Sequence, residues 1–178
     1  TGIERDAGLA AQARARCDRV VEGDLREILP RLAGEPERYD AIVFADVLEH
    51  LEDPVEALCS ARRLAAPGGR LLVSVPNVGN LSVVRDLLCG RFDPVPAGLM
   101  DAGHLRWFTR DFLAEVLEEA GWSSIAIQGE PGAPSPDPGP FRELSDHWPD
   151  HDAESLGTYQ WIAEAREAGE GQRVRAHP

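Results

Sequence analysis

The chain is 178 residues long, 43% hydrophobic, and carries a formal net charge of -13. Its length suits one domain with a sizeable core and does not require two. So acidic a chain, with no Lys/Arg cluster, is a poor match for a nucleic-acid backbone or an anionic membrane, which leaves a small molecule as the expected partner.

In chain order, Gly2–Arg5 reads as the end of a strand. Asp6 caps an Ala-rich helix over AGLAAQARARC, because its carboxylate can accept from free N–H groups of the first turn. Residues 19–23 (RVVEG) form a short strand, and Asp24 caps the helix LREILPRL, with Pro30 near its end. Tyr39–Ala45 is a continuous apolar run bounded by turn signals, the pattern of a strand buried on both faces. Asp53 followed by Pro54 opens a helix on which Val55, Leu58, Ala61, Leu64 and Ala65 recur at helical spacing. Pro67-Gly68-Gly69 ends it, and RLLVSVP (70–76) is the next buried strand.

After Asn77, LSVVRDLL reads as a helix, and residues 90–103 form a loop containing Gly and Pro. Thr109 caps RDFLAEVLEEA, with Phe112, Leu113, Val116, Leu117 and Ala120 along one face and Gly121 as the stop. Residues 123–129 and 158–166 are strands, separated by a Pro-rich irregular stretch; the polar tail 167–178 is expected to be disordered. Such strand–helix alternation implies an α/β, Rossmann-like sheet, mostly parallel, with helices on both faces. The last two strands have no crossover helix between them and therefore pair antiparallel. The expected organisation is a single domain over 1–166 with an irregular insertion at 131–157.

Cys17, Cys59 and Cys89 are widely spaced with no CxxC pair, as in a cytoplasmic protein with reduced thiols. No run approaches the ~18 apolar residues of a membrane span, and no signal-peptide pattern is present.

The chemistry concentrates in YDAIVFADVLEHLEDP (39–54). Its strand delivers Asp46, Glu49 and His50 to the C-terminal edge of a parallel sheet, where ligands of open α/β folds bind. His104, in GHLRWFT, lies just before the helix capped by Thr109 and forms a second group. Trp107 and Phe108 read as a lid or core contact, and HWPDHD (147–152), with His147, Trp148 and His151, as a solvated loop near the substrate mouth.

With APGGRLLVSVPN following at this spacing, the chain resembles the class I S-adenosylmethionine-dependent methyltransferases over about residues 1–130 and 157–166. The resemblance implies that Glu4 in GIERD binds both ribose hydroxyls of the cofactor and that Asp24 and Leu25 in EGDL lie near its adenine. Ala45 and Asp46 would border the methionine part and the substrate. The combination DxxEH, then PN, then HLRWFT resembles two subgroups, the ubiquinone-pathway O-methyltransferases and the small-RNA 2'-O-methyltransferases. In the RNA subgroup the positions matching Asp46, Glu49, His50 and His104 ligate a divalent metal, and such oxygen-rich ligation with imidazoles suits Mg²⁺ or Mn²⁺. Asp46 departs from the Glu those subgroups carry, shortening its reach by one methylene. Alternatively His104 or His50 acts as general base, with Glu49 also among the expected catalytic residues, or the group is structural.

The resemblance also calls for a further strand and a Gly-rich loop ahead of Thr1, at the centre of the sheet. The chain opens on Thr rather than Met, and the natural protein is expected to extend further toward its N-terminus. Without that strand two neighbouring strands keep unpaired edges, so the 178-residue chain alone is expected to be poorly folded or inactive. The expected function is methyl transfer to a hydroxyl of a small-molecule acceptor. The alternatives are a non-catalytic or degenerate module and, on the acidic residue after a strand alone, a nicotinamide-dependent oxidoreductase.

Overall fold

The computed structural model describes residues 1–132 and 153–167. Strands β1 (Gly2–Glu4) and β2 (Val20–Glu22) are joined through helix α1 (Ala7–Ala13), and helix α2 (Leu25–Leu32) follows. Asp6 accepts from the Leu9 N–H and Asp24 from the Arg26 N–H, satisfying donors that a first helical turn leaves free. Strand β3 (Tyr39–Ala45) runs through a 3-10 turn, Leu48–His50, into helix α3 (Pro54–Leu64), which Asp53 caps. Then come β4 (Ala65–Pro76), α4 (Leu81–Leu88), α5 (Arg110–Glu119), β5 (Trp122–Pro131), α6 (Ala153–Gly157) and β6 (Thr158–Glu167).

The strands form two sheets. One is the parallel pair β1–β2; the other has four strands in the order β3-β4-β6-β5. β3 and β4 are parallel, and β6 runs antiparallel to both β4 and β5. The antiparallel end of the sheet is as the sequence implies. Leu58 and Ala61 of α3, Leu113 and Leu117 of α5, Leu71 and Val73 of β4 and Trp161 of β6 build one apolar core on the larger sheet.

Three features differ from the sequence reading. β3 is not buried on both faces: Ala41, Val43 and Ala45 are exposed, Val43 to 62%. These alternate residues share one face of β3, which the described residues leave open; β3 is also an edge strand, pairing only with β4 among them, as β1 pairs only with β2. β4 begins at Ala65, with Tyr39 paired to Ala65, so Pro67-Gly68-Gly69 lies within the strand rather than before it. Gly69 makes this possible, since a Cβ there would stand 2.8 Å from the Ala66 carbonyl and 3.0 Å from that of Tyr39. Finally, the stretch read as irregular contains helix α6 immediately before β6. His147, Trp148, His151 and the tail beyond Glu167 lie outside the described residues.

Asn77 ties the ends of the larger sheet together. It is fully buried, donates from Nδ2 to the carbonyls of Ser155 (2.7 Å) and Thr158 (2.9 Å), and accepts from the Gly79 N–H. Its own N–H donates to Tyr159 O. Replacing Asn77 by Ala strands these groups in the interior, where each unsatisfied polar group costs roughly 1–3 kcal/mol. Thermal or denaturant unfolding of that variant is therefore expected to report a loss of several degrees in midpoint; an unchanged midpoint would mean the network contributes nothing.

Candidate active site

Two hollows meet at the C-terminal end of β3. The larger, of about 870 Å³, runs between the two sheets and is lined by Glu4, Asp24, Leu25, Asp46 and His50, among others. The smaller, of about 210 Å³, is lined by Asp46, Glu49, His50, Asp101, His104 and Tyr159 together with Pro76, Gly98 and Gln160. Among the described residues, Asp46 and His50 alone face both. A group passing from one ligand to the other would pass there.

On the side of the large cleft, Glu4 and Asp24 stand at the ends of β1 and β2. Glu4 Oε1 accepts from the Asp6 N–H at 2.8 Å, which leaves its other oxygen for a ligand. Asp24 is held by Arg26 in a two-point contact (3.1 and 2.8 Å), and this hydrogen-bonded guanidinium lowers its pKa to about 2. Asp24 is therefore an anion at any physiological pH. Ala45, at the last position of β3, pairs with Ser74 and does not line the cleft.

The small hollow is where the structure gathers most of the chemistry. The turn Leu48–His50 buries Leu48 in the core and with it Glu49, which is 1% exposed. Among the described residues, neither Glu49 carboxylate oxygen has a hydrogen-bond partner. Burial first, with the nearby Asp46 charge adding, raises its pKa to about 7. The Glu49 carbonyl accepts from the N–H groups of Leu105 (2.7 Å) and Arg106 (3.1 Å), and this tie carries the 101–108 segment across to the turn.

His104 arrives opposite Glu49 and His50 as a result. A ring nitrogen from each histidine and a carboxylate oxygen of Glu49 lie within 4.8 Å of one another. The two rings meet edge to face, with centroids 4.9 Å apart. His50 Nδ1 lies 3.0 Å from Gly103 O and His104 Nδ1 3.3 Å from Leu99 O. A carbonyl only accepts, so each Nδ1 carries a proton and each neutral ring keeps its lone pair on Nε2. Burial, and then the neighbouring His50, lower the pKa of His104, which favours that neutral form.

Asp46 stands apart from this group. Its carboxylate accepts from Ser74 Oγ at 3.3 Å and from Gln160 Nε2, so it joins the metal-ligand geometry of Glu49, His50 and His104 only as a neighbour. Trp107 packs edge to face on His104, while Phe108 is wholly buried in the core. Tyr159 and Gln160, which line the small hollow, were not legible as site residues, because strand alternation does not say which side chains a neighbouring strand end brings to a cavity.

A family model described as a methyltransferase domain matches residues 2–127. The chain belongs to the class I S-adenosylmethionine-dependent methyltransferases. Its relatives include a probable S-adenosylmethionine-dependent methyltransferase of Mycolicibacterium smegmatis, 33% identical over 68% of this chain and 42% of that protein. A ubiquinone biosynthesis O-methyltransferase of Cereibacter sphaeroides is 28% identical over 55% of this chain and 40% of its own length. The chain thus spans less than half the length of these curated relatives. In fold, the methyltransferase is similar to a S-adenosylmethionine-dependent methyltransferase from Archaeoglobus fulgidus, with a TM-score of 0.63 at 16% identity over 93% of this chain and 74% of that one. Membership implies S-adenosylmethionine as the methyl donor, and the cleft holding Glu4 and Asp24 has the size and the two acidic acceptors to suit it. Among the described residues of this methyltransferase no helix is long and apolar enough to cross a membrane.

Proposed function

We propose that this methyltransferase transfers the methyl group of S-adenosylmethionine to a hydroxyl oxygen of a small-molecule acceptor bound in the small hollow. The observation that carries this reading is Glu49, a buried carboxyl group without a hydrogen-bond partner among the described residues, beside two imidazoles whose Nδ1 atoms face backbone carbonyls. Such a group is suited to removing a proton, and an alcohol or phenol must lose one as it gains a methyl.

Glu4 supports the donor by its free oxygen, suited to paired ribose hydroxyls, and Asp24 and Leu25 border the adenine end. Asp46 borders the methionine end, and Ala45, which does not line the cleft, takes no part. When bound, the donor supplies an electrophilic methyl group next to Asp46 and His50. The acceptor hydroxyl is held between Glu49 and His104, and its proton passes to Nε2 of His104 or His50. Glu49 then stabilises the resulting imidazolium. Trp107, against the outer side of His104, keeps water from the ring.

The same three side chains suit a divalent ion. Glu49, His50 and His104 would hold Mg²⁺ or Mn²⁺, which would increase the acidity of the acceptor hydroxyl. Asp46 would need to leave Gln160 and Ser74 to join them. We further propose a cytoplasmic setting, which the cysteines without CxxC pairing support.

Incubation of the full-length protein with methyl-labelled S-adenosylmethionine and a panel of sugars, phenols and catechols tests the reading. His104→Ala is expected to cut turnover at least a hundredfold. Chelation of divalent ions should do the same if the metal arrangement operates; full activity under chelation eliminates the ion and leaves the histidines as bases. Wild-type turnover by His104→Ala would eliminate the ion site and His104 as the base.

A further inference from the structure

Asp46 is the residue that β3 hands to both hollows, and it sits in a conformation that needs support. Its φ is +51°, in the left-handed region that side chains other than Gly seldom adopt. The reversal it makes turns the chain out of β3 and into the Leu48–His50 turn.

Two side chains hold it there. Ser74 Oγ donates to Asp46 Oδ1 at 3.3 Å and accepts from the Asp46 N–H at 3.2 Å, while Gln160 Nε2 donates to the same Oδ1. Ser74 belongs to the adjacent strand β4, two residues before Pro76. Gln160 comes from β6, the strand beyond, and pairs with Pro76. Its side chain therefore reaches over the intervening β4 to meet Asp46. Three strand ends converge on one carboxylate oxygen.

The arrangement also sets Asp46 apart: its Oδ1 is engaged by Gln160 and Ser74, and the ligand atoms that gather are those of Glu49, His50 and His104. A charged acceptor makes each of these hydrogen bonds stronger than a neutral pair would.

We propose that Gln160 is a positioning residue of the transfer site: by holding Asp46 in its left-handed turn, it fixes Glu49 and His50 opposite His104 at the junction of the two hollows. This deepens the proposed function and rests on it for the link to cofactor affinity. Its link to histidine geometry stands without that reading.

The decisive comparison uses the full-length protein, Gln160→Glu, the nearly isosteric Gln160→Met, and the exchange Asp46→Asn with Gln160→Glu. Gln160→Glu sets carboxylate against carboxylate, and Gln160→Met removes the donor while keeping the bulk. The exchange rebuilds the hydrogen bond with its polarity reversed, and Asn tolerates the left-handed conformation as well as Asp does. The first readout is the imidazole NMR signals of His50 and His104; the second is S-adenosylhomocysteine affinity by calorimetry. Both single variants are expected to shift the His50 signals and weaken binding about tenfold, and the exchange to bring signals and affinity back near the original. A melting curve for each variant separates these effects from loss of fold.

Unshifted histidine signals in both single variants would overturn the proposal, as would an exchange that restores neither readout. If the unsubstituted protein fails to bind S-adenosylhomocysteine, the cofactor reading falls, and the histidine signals decide the role of Gln160 by themselves.

Discussion

Replacing Glu49 by Gln is expected to reduce methyl transfer by roughly 10²–10⁴-fold while making the metal-free protein more stable at pH 8. The first effect follows from chemistry. The amide keeps the shape of the side chain but neither accepts a proton nor stabilises an imidazolium as a carboxylate does. The second follows from burial. The Glu49 carboxyl has its pKa raised from 4.5 to about 7 in the folded protein. Below about 4.5 it is protonated in both the folded and the unfolded chain, and it favours neither. As pH rises from there toward 7 the unfolded chain gives up the proton and the folded chain keeps it, so folding becomes progressively less favourable. Above 7 the folded protein carries a buried, unpartnered anion at the full cost, on the order of 3 kcal/mol. Gln at this position has no such dependence. Melting temperatures measured with a chelator from pH 5 to pH 8 should therefore fall for the wild type relative to Glu49→Gln, in which the lowered pKa of His104, shared by both proteins, makes stability rise with pH. Parallel curves would show that the carboxylate finds a partner in solution and that its isolation is not a property of the site.

Joining a βα unit of roughly 40 residues ahead of Thr1 is expected to change cofactor binding from weak to tight and to raise the unfolding midpoint. The argument comes from two edges. β1 pairs only with β2 and β3 only with β4 among the described residues, and the outer edges of β1 and β3 both border the same cleft. Val43, in the middle of β3, is 62% exposed, an unusual state for a valine in a strand of the principal sheet. The strand of such a unit laid between β1 and β3 would pair both edges and join the two sheets into one, and its helix could pack on the open face that carries Val43. Unpaired backbone groups in an interior are costly, and open edges also invite association between chains. Calorimetry with S-adenosylhomocysteine on the 178-residue chain and on the extended one provides the comparison. Tight binding by the shorter chain would show that the cleft is complete without a strand.

How much of this could be read in advance depended on how local each cause was. Asp6, Asp24, Asp53 and Thr109 cap their helices as expected, because a cap is a contact within four residues. The antiparallel end of the sheet followed from the lack of a crossover helix. The exposure of β3 was not legible, because an apolar run reports the composition of a strand and not which neighbours cover it. Glu49 and His50 could be placed at the end of their strand, but their meeting with His104 depends on the Glu49 carbonyl accepting from Leu105 and Arg106, a backbone contact that no side-chain pattern announces. Asp46 was misleading for a related reason. Its spacing groups it with Glu49 and His50, whereas the register of β6 brings Gln160 within reach and turns its carboxylate another way.

The tie between the Glu49 carbonyl and the 101–108 segment has a bearing on how such a molecule can change its habits. Everything that would grip the acceptor hangs on the four-stranded sheet: the turn after β3, the segment carrying His104, and the start of β6. Glu4 and Asp24, which line the large cleft, stand at the ends of the two-stranded one. Residues that line the small hollow alone, such as Gly98 and Tyr159, can accordingly be exchanged with the large cleft left as it is, whereas the turn after β3 and the 101–108 segment, whose Gly103 and Leu105 line that cleft, cannot change without reshaping it.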